Sequence, residues 1–119
     1  MTQQTQKSII DVQHVDGVVI GRIHCPTVGE REAPIIKDEA LREAKLVGFR
    51  LALDFTEVTM MGSLALGTLV TISKECTGGG GKLALFGLNN NLNEVLKMTR
   101  LDKLLPIYKD EATALKKIR

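Results

Sequence analysis

At 119 residues the chain is sized for one domain, with a core that hides about two-thirds of its unfolded surface. Sixteen basic residues against fourteen acidic ones leave a net charge of +2 with no basic block, which speaks against nucleic acid as a partner. Three Phe, one Tyr and no Trp offer few platforms on which bases could stack.

Residues 1–7, MTQQTQK, form a polar tail without the apolar stretch of a secretory signal, and the domain is expected over 8–119. "SIIDVQHV" and "VVIGRIHC" are rich in β-branched residues and flank Asp16-Gly17, a preferred two-residue turn, so they predict a β-hairpin. "CPTVGEREAP" reads as a polar loop. A helix is expected from about Pro34 to Val47, with Ile36, Ala40, Ala44 and Val47 on one face and Pro34 at its opening. "RLALDF" barely alternates and reads as a strand buried on both faces. A helix from Ser63 to Cys76 follows, closed by "TGGGG". "KLALFGL" is a second buried strand. The next helix runs from Asn89 to Thr99, with Leu92, Val95, Leu96 and Thr99 facing inward. "LLPIY" predicts a short edge strand, since proline cannot donate to a ladder. "KDEATALKKI" is a closing helix, acidic at its start and basic at its end. The sum is one α/β domain: a hairpin leading into a mostly parallel sheet with helices packed against it.

Catalytic chemistry has little to work with. His14 and His24 fall in the hairpin and read as structural. No second ligand pair follows His24-Cys25, so neither metal nor cofactor is expected. Cys25 and Cys76 lie far apart with no CxxC spacing, which suits a reduced cytoplasm. "TGGGGK" has glycines that could cradle a phosphate. It joins a helix to a strand, however, and Lys82 is followed by Leu83, so a phosphate-binding loop is rejected. Ser63 to Ile72, the longest nearly apolar window, is about half a membrane span, so no direct membrane insertion is expected.

Three positions invite two readings each. Asp54 closes a buried strand, where it either serves function or accepts hydrogen bonds from loop amides. Asn89, Asn90 and Asn91 either cap their helix or face a partner. Ser63 either caps its helix or is a modification site. A phosphate there would meet the helix amides while adding about −1.5 to −2 charges beside an apolar surface. Leu66 stands where a capping box would want Glu or Gln.

"LALDFTEVTMMGSLALGTLV", "GGKLALFGLNNNLNEVLKMTRLDKLLPIY" and "EATAL" together give the chain its resemblance, from about Ser8 to Ile118. It resembles the STAS domain family, specifically bacterial anti-sigma factor antagonists of the partner-switching type. The resemblance implies a non-catalytic regulator that binds a kinase-type anti-sigma factor of histidine-kinase-like fold and so releases a sigma factor. It also implies a phosphoserine phosphatase as a second partner, with the family's phosphoacceptor falling on Ser63. Family members usually carry Asp before that serine, and Ser or Thr then Gly after it; this chain has Gly62, Leu64 and Ala65. Other relatives are non-catalytic subunits of lipid-transport or stress assemblies with no sigma factor, and that is the competing reading. The docking surface is expected at Thr59, Met60, Met61, Gly62, Ser63, Leu64 and Leu66, with Asn89, Asn90 and Asn91 beside it. Whichever of Met60 and Met61 points outward would be an adaptable apolar contact.

Overall fold

A computed structural model describes residues 9–119; the polar tail expected at 1–7 lies outside the described residues. Strands β1 (Ile10–Val15) and β2 (Val18–Ile23) form the predicted antiparallel hairpin. Its turn places Asp16 at φ 51° and Gly17 at φ 78°, the left-handed pair that matches the twist of the flanking strands.

The chain continues through β3 (Thr27–Val28), α1 (Glu32–Ala44), a short 3₁₀ turn, β4 (Arg50–Asp54), β5 (Met60–Met61) and α2 (Ser63–Gly78). It then runs through β6 (Lys82–Phe86), α3 (Asn90–Met98), a second 3₁₀ turn, β7 (Ile107–Tyr108) and α4 (Glu111–Ile118). The main sheet has the order β1-β2-β4-β6-β7, parallel except for the hairpin, and the proline-led β7 is an edge strand as expected.

Strand residues alternate between two cores. Val19, Leu51, Leu53, Leu83 and Leu85 face the larger one, completed by Ile36 and Ala40 of α1, Leu69 and Ile72 of α2, and Leu92 and Leu96 of α3. Val18, Ile20, Ala52, Ala84 and Phe86 face the other way, against Ala114 and Ile118 of α4. Coverage on both faces is why these strands read as continuous apolar runs.

Several boundaries differ from the sequence reading. Helix α1 starts at Glu32, which leaves Pro34 in its first turn, where no intrahelical N–H is needed. Helix α2 runs on to Gly78. Thr99 is exposed rather than inward, because α3 ends at Met98 and the Thr99 hydroxyl turns back to the Val95 carbonyl at 2.8 Å. The glycine run is a packing device. A side chain at Gly79 would strike the Phe49 ring, and one at Gly81 the carbonyls of Phe49 and Gly48.

Candidate functional site

The site begins at the end of β4. Asp54 Oδ1 accepts the Thr56 amide at 2.9 Å and the Thr56 hydroxyl, while Oδ2 accepts from Arg22 at 3.0 Å. Arg22 also reaches Glu111 of α4 at 3.1 Å. Asp54 therefore shapes the turn after its strand. Phe55 and Val58 anchor that turn in the core, and the chain then emerges toward solvent.

There it forms a second, two-stranded sheet that the sequence did not announce: β5 pairs in parallel with β3, Thr27 opposite Met60 and Val28 opposite Met61. The amides of Thr59 and Met60 donate to the Pro26 carbonyl at 2.8 and 3.0 Å, and Gly62 donates to Val28 at 2.9 Å. Asn89 Nδ2 reaches the Val58 carbonyl at 3.4 Å, tying the start of α3 to the same loop.

Segments 59–66 and 89–91, distant in sequence, thus lie side by side. Met60 is the outward methionine, 60% exposed, and Met61 packs against the core. Leu64 is 51% exposed, with the exposed Ser63 next to it. Leu66 is half-buried against the core, which leaves it a supporting place. A groove of about 490 Å³ runs between Thr59, Met60 and Met61 on one side and Asn91, Glu94 and Val95 on the other. Glu94 and Val95 were missed from the sequence. Their spacing from Asn91, three and four residues along a helix, is the signal that could have found them.

Ser63 does not cap its helix. Gly62 occupies the cap position with φ −80° and ψ 170°, and Ser63 is the first helical residue, so its hydroxyl cannot reach back to the first-turn amides as a cap does. No side chain caps α2. Asn89, by contrast, caps α3 as expected, accepting the Leu92 amide at 2.8 Å.

Both histidines have carboxylate partners that the sequence reading overlooked. His14 Nε2 lies 2.9 Å from Glu43 of α1. His24 sits between two carboxylates, Glu57 on Nδ1 and Asp11 on Nε2, each at 2.9 Å. The Glu57 contact, reinforced by Asp11, raises its pKa above the usual 6.5 despite partial desolvation. Burial raises the Cys25 thiol, with Glu32 and Glu57 adding to it, and burial pushes Cys76 up to about 12, so both cysteines are poor nucleophiles at neutral pH. Among the described residues no cluster of three or more His, Cys, Asp or Glu side chains is arranged to hold a metal ion, and no helix is long and apolar enough to cross a membrane.

The STAS domain family model matches residues 4–114. The chain belongs to the STAS domain family. An anti-sigma-B factor antagonist of Listeria monocytogenes is 35% identical over 98 residues, 82% of this chain and 81% of the relative. A Thermotoga maritima protein, provisionally named an anti-sigma factor antagonist, is 31% identical over 70 residues, 59% of this chain; the match spans 62% of that relative's length. The crystal structure of a Thermotoga maritima protein with the same provisional name superposes with a TM-score of 0.80 at 28% identity, covering 92% of this chain and 94% of that one.

Proposed function

We propose that this STAS domain is a non-catalytic, cytoplasmic anti-sigma factor antagonist, docking through the start of α2 onto an anti-sigma factor of histidine-kinase-like fold. Binding sequesters that factor and frees its sigma factor. One observation carries the reading: a hydroxyl, Ser63, stands at the exposed opening of a helix beside two exposed apolar side chains, Met60 and Leu64. The apolar pair suits a dry contact with a partner. Phosphate on Ser63 would place about −1.5 to −2 charges in that contact and break it by desolvation and repulsion. The first-turn amides of α2, which no side chain caps, would tolerate the phosphate in the free protein. A phosphoserine phosphatase would then restore the docking form.

The decisive experiment mixes the purified chain with each histidine-kinase-like anti-sigma factor encoded by its host. Calorimetry without ATP should give a saturable one-to-one complex. Addition of ATP should give one phosphate on Ser63 by mass spectrometry, absent in Ser63→Ala. Ser63→Asp should weaken binding about tenfold while Ser63→Ala retains it. Failure of every such factor to bind, with co-purification of transporter or stress-assembly subunits instead, would replace this reading with that of a subunit in a larger assembly.

A further inference from the structure

His24 is the one histidine in the described chain gripped on both ring nitrogens. Asp11 reaches it from β1, and Glu57 from the turn that leads into β5. Only imidazolium carries two N–H groups; neutral imidazole has one donor and one lone pair. The two carboxylates, 2.9 Å away on opposite edges of the ring, are therefore both satisfied only by the charged form. The neighbouring charges have other duties. Arg22 of β2, two residues before His24, spends its guanidinium on Asp54 and Glu111, and Glu32 of α1 bonds the Gly29 amide. Neither replaces the lost proton.

Glu57 is placed where a released grip matters. It lies three residues before Met60, in a loop otherwise held to the hairpin side by the Pro26 and Val28 carbonyls. We propose that His24 is a proton-operated latch on this loop: charged, it ties Glu57 to Asp11 and fixes residues 57–62; neutral, it turns a lone pair toward one carboxylate and lets the loop open. The proposal rests on the docking reading of Met60 and supplies its regulation, since a loosened loop presents Met60 less often in the bound geometry. The loop is held below the His24 pKa and released above it. Because the two carboxylates raise that pKa, release falls above the ordinary imidazole value of 6.5.

The test is an NMR titration of the full chain, following the His24 ring and the amide exchange of Thr59, Met60 and Gly62 corrected for intrinsic rates. Between about pH 5.5 and about pH 8 the wild-type exchange should rise about two- to fivefold, with a midpoint at the His24 pKa. Glu57→Gln provides the contrast, because the glutamine amide can donate to the neutral ring while the ring N–H donates to Asp11. In that variant the corrected exchange should be flat. His14→Gln should behave as wild type, since His14 meets a single carboxylate away from the loop. A His24 pKa at or below 6.5, flat wild-type exchange, or an equal rise in Glu57→Gln would overturn the latch. Loop opening with no change in affinity for the anti-sigma factor would keep the latch and remove Met60 from the docking surface.

Discussion

The starts of α2 and α3 have the same backbone and opposite chemistry. Gly62 holds φ −80° and ψ 170°; Asn89 holds φ −78° and ψ 174°. Asn89 fills that geometry with a side-chain oxygen that accepts the Leu92 amide, and Asp110 does the same at the start of α4, taking the Thr113 amide at 2.9 Å. At α2 the cap position has no side chain at all, and the first turn exposes a hydroxyl and a leucine. The starts of α3 and α4 carry a side-chain cap; α2, like α1, carries none, and it is α2 that sets an exposed hydroxyl beside an exposed leucine. That difference is what a contact surface requires: apolar side chains held out by a rigid neighbour, with a modifiable group among them.

The largest expected effect lies in binding. Leu64→Glu should lower partner affinity tenfold or more, about 1.4 kcal/mol, while leaving Tm unchanged, because half of that side chain is already in water. Parallel losses of affinity and Tm would place Leu64 in the core. Next come the caps. Asn89→Ala should cost about 1 kcal/mol in denaturant titrations and Asp110→Ala should also destabilise, whereas Ser63→Ala should be close to neutral. A cost for Ser63→Ala equal to the other two would make α2 an ordinary capped helix.

A smaller effect tests the empty cap directly. A Cβ at Gly62 would meet nothing nearer than the Val28 carbonyl at 3.9 Å, and the backbone is already extended, so the aspartate usual in the family fits there. Gly62→Asp should stabilise the fold by about 0.5 kcal/mol, by capping and by its charge at the helix start. The smallest effect is in pH. Hydrogen bonds from the Thr113 hydroxyl and amide hold the Asp110 carboxyl below its ordinary 3.8. Its contribution is therefore complete above that value and is lost as pH falls through the lower, folded pKa. Amide protection in the first turn of α4 should fray in acid, with no matching transition at the start of α2.

Much of this arrangement was legible in the sequence because it rests on local rules. Asp16-Gly17 can do little but turn a hairpin, apolar runs such as Leu51 to Leu53 need cover on both faces, and Asn89 before an amphipathic stretch is a cap. What escaped depends on distance along the chain or on a single residue of register. The β3–β5 pair has two residues per strand and is held by the Pro26 carbonyl, too short to leave a periodic trace. His24 finds Glu57 33 residues away, and no spacing foretells that. The cap at α2 was misplaced by one position because serine is the better capping residue, and that preference outweighed the glycine before it. At the site itself, the pairing of 59–66 with 89–91 was legible through the family pattern, while Glu94 and Val95 were within reach only through their helical spacing from Asn91.

The central claim is that the open start of α2 is where a partner docks. The most direct measurement is an NMR titration of isotope-labelled protein with a purified histidine-kinase-like anti-sigma factor from the same host, followed amide by amide. The account predicts that broadening and shifts concentrate on Met60 to Leu66 and on Asn89 to Val95, with α4 and the β1–β2 turn unchanged. Perturbations centred on α4, or on the exposed Leu104 beside the C-terminal half of α2, with the Met60–Leu64 amides unmoved, would contradict it.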